Sequence, residues 1–330
     1  MLPRVRAVSL FNYIEIAASV GLDPYLLLRD AQIDPALLAH PENWLGARPV
    51  GDLLERSARD SDRDDFALLL AECRTFASLG PISLVLKHQE TLGQVIARLQ
   101  EYRTRLNDVI GLALAVSEDV AIVQWTVVPE FAGPQIECLV SAVGYRALTE
   151  AMGRSWKPEC VHFAMARPVE IQSYQRFFQC DLHFGAPFNG LSFNAGQLDM
   201  RNRGSDPALA QHAERLLKLI PAPEESVTDK SRHALYLLLP AGRADLVSVA
   251  RNLGIGCRSL QRELEVEGTT FGALLRETRR ELALRYVSSN THRVGEVAHL
   301  VGYSSPGSFS RWFAGEFGTT PLLWRAQHKK

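Results

Sequence analysis

The sequence has few cysteines, and their arrangement gives no metal or redox motif. None of the five forms a Cys-X-X-Cys pair, and no histidine cluster stands at zinc-ligand spacing. We interpret them as buried or incidental thiols in a reducing compartment, with a redox switch as the alternative. They are Cys73, Cys138, Cys160, Cys180 and Cys257.

Catalytic motifs are also missing. There is no Gly-X-Ser-X-Gly, no phosphate-binding P-loop and no His-Glu-X-X-His. The glycine pair Gly254-Ile255-Gly256 follows no predicted strand, which excludes a dinucleotide fingerprint. The histidines are dispersed, and the acidic run Ser61–Asp65 is read as a solvated loop because further oxygen ligands do not follow at calcium-loop spacing. The sequence therefore predicts no enzyme, no cofactor and no metal site.

No apolar run reaches the ~18 residues that a membrane span needs. The basic, partly apolar N-terminus is interrupted by Asn12 and Glu15, and no cleavage pattern of a signal peptide follows. A hydrophobic content of 46% with 22% charged residues is ordinary for a globular chain. We expect a cytoplasmic protein of two or more domains.

The net charge of −1 conceals an asymmetry along the chain. From Arg243 onward there are 13 basic and 8 acidic residues, which leaves 23 basic and 29 acidic residues in the preceding part. A basic C-terminal part on an acidic body favours a polyanionic partner for that part.

What the sequence does contain is an internal repeat, Leu246–Leu264 and Val294–Phe313. Each half has a short helix with a small alanine, a glycine that can end it at positive φ, and a second amphipathic helix. This pattern predicts two helix-turn-helix units. The matching pairs are Val249 with Val297, Ala250 with Ala298 and Gly254 with Gly302 at an offset of 48, then Leu260 with Phe309, Arg262 with Arg311 and Leu264 with Phe313 at an offset of 49.

A helical stretch, Thr269–Asn290, joins the two halves. About 20 residues at ~1.5 Å each give a rod of ~30 Å. Because this is close to one DNA turn of ~34 Å, we expect the two recognition helices to enter successive major grooves on one face of the duplex.

With these features the chain resembles the AraC/XylS family of bacterial transcription regulators. The resemblance covers about 85 residues of the repeat region and its linker helix, and implies a DNA-binding regulator that forms a homodimer and acts with RNA polymerase. The residues that carry it are Ala250, Gly254, Ser259–Arg262, Gly268–Phe271, Arg279 with Ala283, Glu296–Ala298, Gly302-Tyr303, Phe309–Arg311, Phe313 and Gly318–Pro321.

The N-terminal part mixes helical and strand patterns and resembles the arabinose-binding-like domain that often precedes such units. Residues 9–105 read as helical, Gly111–Val128 as a hairpin, Gly133–Gly153 as a long helix and Cys160–Pro168 as a strand. The predicted fold class is mainly α, with an α+β N-terminal domain and an all-α C-terminal domain. The predicted boundaries are 1–220 for the effector and dimerisation domain, 221–243 for a linker broken by Pro221–Pro223 and a lead-in helix, and 244–330 for the double helix-turn-helix domain.

The start of each second helix holds the candidate DNA contacts. Arginine pairs bidentately with guanine and glutamine with adenine, whereas capped helix starts hold phosphates. The second unit offers fewer long side chains, so we expect DNA binding to depend more strongly on the base sequence of the half-site read by the first unit. Arg279 of the linker helix is expected to form a structural salt bridge. The candidate contacts are Arg258, Ser259, Gln261 and Arg262 in the first unit and Ser305, Ser308 and Arg311 in the second.

For the N-terminal domain we expect an apolar or amphipathic small-molecule effector. The candidate lining residues lie on predicted strands: Trp125, His162, Phe163 and Phe193. The alternative is a regulator without a ligand, whose N-terminal domain only dimerises or binds a protein partner.

Overall fold

A computed structural model describes residues 3–128, 131–153, 156–219, 226–239, 242–288 and 293–327. Its contacts divide the chain into unit 1, Met1–Pro223, and unit 2, Glu224–Lys330. The predicted proline break at 221–223 lies outside the described residues.

Nine α-helices are described in unit 1, most of them amphipathic and packed on one core. They are α1 (Tyr13–Ser19), α2 (Pro24–Asp30), α3 (Ala47–Asp60), α4 (Phe66–Cys73), α5 (Pro81–Lys87), α6 (Leu92–Tyr102), α7 (Pro134–Ala151), α8 (Gln172–Phe178) and α9 (Pro207–Leu219). Asp23 caps α2, whose first residue is proline.

The strands of unit 1 form two sheets. β1 (Arg4–Arg6) and β2 (Trp44–Gly46) pair antiparallel. The larger sheet has the order β3-β4-β7-β5-β6, and within it only β5 and β6 run parallel. Its strands are β3 (Ile110–Ser117), β4 (Val120–Val127), β5 (Cys160–Phe163), β6 (Asp181–Phe184) and β7 (Asn189–Asn194).

Three details of the predicted secondary structure are wrong. β2 lies inside the stretch expected to be helical, β1 and β6 were not expected, and β5 ends at Phe163 rather than Pro168. Each of these strands has only three or four residues, too few for a period-two pattern to show. The predicted hairpin is confirmed, with Glu118 at φ +50° in its turn.

One face of the larger sheet is buried and the other is partly open. Val123 and Trp125 are buried on the covered face, whereas Ile122 and Gln124 are half-buried on the other. Helix α7 packs on the covered face, where Gly144 lies directly against the Trp125 indole. A Cβ on Gly144 would stand 2.6 Å from the Cη2 atom of Trp125, so the close approach requires glycine here.

Unit 2 is all-α in its described residues, and the α+β and all-α predictions are confirmed. Its helices are α10 (Val227–Leu238), α11 (Leu246–Leu253), α12 (Cys257–Val266), α13 (Phe271–Ser288), α14 (Val294–Leu300), α15 (Pro306–Phe317) and α16 (Pro321–Gln327). The starts of α11 and α14 are 48 positions apart and those of α12 and α15 are 49 apart, as the repeat predicts.

The predicted lead-in helix is α10, and it packs inside unit 2. Ala234 and Leu235 share a buried core with Val249, Leu260 and Leu274. Helix α13 contacts α10, α14 and α16, so it is the common support of both repeat halves.

Two glycines of α15 should respond in opposite directions to alanine. Gly318 ends the helix at φ +71°, whereas Gly315 lies inside it, and an added Cβ meets nothing within 4 Å at either position. We predict that Gly318→Ala destabilises the helix by about 1 kcal/mol because L-residues are strained in this conformation. Gly315→Ala should stabilise it by about 0.5–1 kcal/mol because backbone entropy is reduced.

Hydrogen exchange of α15 peptides in the full chain measures both effects. The two variants are matched in chemistry and exposure. A change of the same sign in the protection of α15 from exchange would contradict the assignment of Gly318 as a left-handed residue at the end of the helix.

Candidate nucleic-acid interface and ligand cavity

The turn of the first repeat half fixes α12 across α11. Asp245 caps α11 by accepting a hydrogen bond from the Ser248 amide at 2.8 Å, and Gly254 ends it at φ +69°. Ala250 is buried at the crossing, where a small side chain lets the helices approach. Leu260 and Leu264 hold α12 by one face.

The opposite face of α12 points to solvent. Arg258, Gln261 and Arg262 are exposed, and Ser259 is half-buried beside them. Their spacing of three and four places the three long side chains on one helical stripe. Four of the predicted contact residues therefore lie together at the N-terminal end of one exposed helix.

The corresponding helix of the second half has a barer outer face. Ser305 caps α15 by accepting from the Ser308 amide at 3.3 Å, and its hydroxyl donates to the Ser308 hydroxyl at 3.0 Å. Arg311 is exposed, but its neighbours along the same stripe are Gly307 and Gly315, also exposed. Both serines are thus occupied in the cap, and Arg311 is the longest side chain along this stripe.

Polar contacts fasten the lead-in helix α10, on which the first half packs, to α13. Arg232 of α10 lies 3.2 Å from Glu277 and 3.4 Å from Glu281, and the Tyr236 hydroxyl donates to Glu281 at 2.6 Å. Burial alone would lower the pKa of Arg232, but Glu277 and Glu281 more than offset it and the net pKa is raised.

The second half is fastened through Glu316 of α15. Its carboxylate lies 3.4 Å from Arg280 and 3.9 Å from Arg276 of α13. Arg325 of α16 donates to the Val287 carbonyl at 2.9 Å. The same helix therefore holds both candidate recognition helices.

Arg279 is structural, but the predicted salt bridge is wrong. Its guanidinium lies over the Tyr303 ring, 5.3 Å from the centroid, and its Nε is buried without a hydrogen-bond partner. Tyr303 is brought there by the turn at Gly302, which has φ +78° and packs against Leu239. The aromatic residues around this turn pack together: Tyr303, Phe309, Trp312, Phe313, Phe317 and Trp324.

Unit 1 contains a cavity of about 140 Å³ between the covered sheet face and α7. Its wall is largely aliphatic and aromatic, and none of its residues is acidic. The polar side chains in the wall are Ser9, Arg74, Ser78, Arg103, Asn107 and Trp125.

Two buried nitrogens at this cavity lack partners. The Arg74 side chain donates from Nη2 to the Val8 carbonyl at 2.5 Å, while its Nε has no partner. Burial, helped by the nearby charge of Arg146, lowers the pKa of Arg74 to about 10, so the group stays cationic at neutral pH. The Nε1 of Trp125 is likewise buried and unpartnered.

The four predicted lining residues do not share this cavity. Trp125 is in its wall, but Phe163 packs in an aromatic cluster and Phe193 packs edge-on against Trp156. His162 lies on the other sheet face, because adjacent residues of a strand point to opposite sides. There His162 hydrogen-bonds Ser192 at 2.8 Å. The parallel register of β5 and β6 places the ring centroids of His162 and His183 5.6 Å apart, so these two histidines are neighbours in space although they are dispersed in the sequence.

Sequence reasoning missed Arg74, Arg103 and Gly144 as cavity residues. The local sequence shows only Arg74 next to the apolar helix α4. An arginine beside an apolar helix is common on protein surfaces and does not indicate a cavity. Within the described ranges, no three histidine, cysteine or acidic side chains are grouped to hold a metal ion. All five cysteines are unpaired, and burial raises the pKa of Cys138 to about 12, which disfavours a reactive thiolate.

Comparison with known proteins agrees with this architecture. Residues 21–202 match the family model described as the arabinose-binding domain of AraC transcription regulator, N-terminal, and residues 249–327 match a helix-turn-helix domain model. The chain belongs to the AraC family of transcription regulators. It is a DNA-binding regulator with an arabinose-binding-like N-terminal domain.

Two relatives of this AraC-family chain extend over nearly its whole length. The HTH-type transcriptional regulator VirS of Mycobacterium tuberculosis is 26% identical over 98% of this chain and 96% of its own. The ornithine utilization regulator of Pseudomonas aeruginosa is 24% identical over 94% of this chain and 93% of its own. A crystal structure of the regulator CdpR from Pseudomonas aeruginosa aligns with 92% of this chain and 96% of that chain at 20% identity, with a TM-score of 0.41. No helix in the described parts of the chain is long and apolar enough to cross a membrane.

A double-mutant cycle tests the contact between Arg279 and Tyr303. We expect Arg279→Met and Tyr303→Leu to be coupled by about 0.5–1 kcal/mol, the typical strength of a partly exposed cation–π pair. Urea unfolding of the four proteins gives the coupling. The control is Tyr303→Phe, which keeps the ring, so Arg279→Met should cost as much in this background as in the wild type. A zero coupling between Arg279→Met and Tyr303→Leu would show that the contact contributes nothing.

Proposed function

We propose that this regulator reads a specific DNA sequence mainly through α12 and that unit 1 senses a small-molecule effector. The observation that carries the first part is the outward stripe of Arg258, Gln261 and Arg262 on a helix held rigidly by its other face. The N-terminal location of this stripe on the helix matches the part of a recognition helix that meets base edges.

The second half is proposed to contribute mostly backbone contacts. The start of α15 presents capped amides and small residues, and a helix N-terminus attracts phosphate oxygens. Ser305 and Ser308 shape that start, and Arg311 reaches a phosphate or a base edge.

Removing the two arginines of α12 tests sequence reading. A preferred site is first selected from random duplexes with the full chain. Arg258→Ala with Arg262→Ala should then weaken binding to it by at least roughly 2 kcal/mol, or about 30-fold, because each base contact is worth about 1–3 kcal/mol. The control is Arg201→Ala with Arg203→Ala, which removes the same charge from exposed positions of unit 1. Equal affinities in gel shifts for the α12 variant and the wild type would refute the assignment.

The two halves of the selected site should differ in base dependence. We expect single base-pair changes under α12 to cost about 1–3 kcal/mol and those under α15 less than about 1 kcal/mol. Arg258→Ala and Arg311→Ala identify which half of the site each helix covers. Each variant should relax sequence specificity only at the base pairs that its own helix contacts. Larger losses beneath α15 would reverse the proposed roles.

Support for effector sensing comes from the cavity in unit 1. It is lined by apolar side chains together with a few polar groups, the usual composition of a small-molecule site. An effector acts only if it has different affinities for two arrangements of the protein, so binding must also change DNA affinity.

Thermal unfolding against a metabolite panel separates this proposal from a ligand-independent regulator. A true effector should raise Tm roughly with the logarithm of its concentration above Kd, and it should shift DNA affinity. The Arg258/Arg262 double variant should keep the Tm shift, because its unit 1 is unchanged. If no compound of a broad panel shifts Tm, the ligand-independent alternative is favoured. Homodimerisation and action with RNA polymerase stay predictions that follow from the family.

A further inference from the structure

The cavity of unit 1 has a chemistry that does not suit a sugar. A pentose carries hydroxyl groups on nearly every carbon, and each needs a hydrogen-bond partner when it leaves water. The wall instead consists of carbon over most of its surface, with Leu112 of β3 and Leu139 and Val143 of α7 as examples. A sugar there would lose more hydrogen bonds to water than it regained.

The charge at the cavity is of one sign. Arg74 is 8% exposed, and among the described residues no carboxylate lies within ion-pair distance of it. The neighbouring Arg146 is a further cation, but it is paired with Glu150 at 3.9 Å, and its Nη1 donates to the Ala71 and Glu72 carbonyls at 2.8 and 3.2 Å. A buried cation without a counter-ion is costly, and a carboxylate is the partner that a guanidinium binds best.

Two donors of residues in the cavity wall have no hydrogen-bond partner among the described residues. They are the Nε of Arg74 and the Nε1 of Trp125, whose side chain is 4% exposed. Both atoms are buried beneath the cavity surface, so the polar contact to a ligand falls to the rest of the Arg74 guanidinium.

The size of the cavity limits the rest of the ligand. A volume of about 140 Å³ is comparable with the engineered cavity of about 150 Å³ that binds benzene. The apolar body is therefore limited to a single ring or an alkyl chain, and one guanidinium without a carboxylate partner, that of Arg74, calls for one carboxylate.

We propose that the cavity binds a small monocarboxylate with an apolar body, its carboxylate on Arg74 and its body between Trp125 and α7. This ligand class rests on the proposed effector-sensing function of unit 1. It also means that the arabinose in the name of the matched domain is not a guide to the ligand of this chain.

Compounds that share one chain and differ only in the head group test the ligand class. Octanoate, 1-octanol, octylammonium and arabinose are titrated into the full-length protein by calorimetry, with Tm as a second readout. We expect octanoate to bind at least tenfold more tightly than 1-octanol, and octylammonium and arabinose not to bind. Equal affinity for octanoate and 1-octanol, or binding of octylammonium, would overturn the proposal.

Two variants locate the interaction. Arg74→Met should bring the octanoate to 1-octanol affinity ratio close to one while 1-octanol still binds, and a retained preference would contradict the role of Arg74. Gly144→Ala forces the indole of Trp125 to move because the new Cβ overlaps it, so binding of both compounds should fall tenfold or more. If Arg74→Met does not fold, Arg74→Lys, which keeps the charge but loses the bidentate geometry, should reduce the preference.

The outcomes distinguish the two proposals. Tight binding of a neutral or cationic metabolite with an accompanying change in DNA affinity would leave effector sensing intact and reject the carboxylate class. Failure of every compound in this set and in the broader panel would reject both.

Discussion

The arrangement of unit 2 depends on the packing of both repeat halves against helix α13. Arg232 and Tyr236 join the first half to this helix through Glu277 and Glu281, and Glu316 joins the second half through Arg276 and Arg280. Exposed ion pairs each contribute little, so the buried apolar contacts around Leu260 and Phe309 provide most of the stability. The charged contacts instead fix the register of each half along the rod.

This part of the fold could be predicted because its signals are local. Gly254, Gly302 and Gly318 all adopt positive φ, and Asp245 and Ser305 cap the helices that follow them. Each of these positions is determined by its own few neighbours, and Gly254 and Gly302 match each other across the repeat. The predicted salt-bridge partner of Arg279 was wrong because the true contact comes from a distant segment. A helix position shows that a side chain points inward, but not whether an acid or an aromatic ring lies opposite it.

The cavity of unit 1 could not be predicted, since its wall is assembled from distant segments. Val5 and Ala147 both line it, and the residues between them come from helices, strands and loops. Arg74 stands just after the end of α4, where nothing in the local sequence indicates burial. The four predicted lining residues do not share one wall, because His162 and Phe163 are neighbours in one strand and cannot face the same side. Of the four, Trp125 lies in the wall of this cavity.

The barer outer face of α15 gives a single chain two unequal ends. One end carries long hydrogen-bonding side chains, and the other carries glycines around Arg311. Two identical ends related by a two-fold axis would fit a duplex equally well in either direction. With the contacts proposed for α12 and α15, the unequal ends instead favour one orientation of the chain on an asymmetric site.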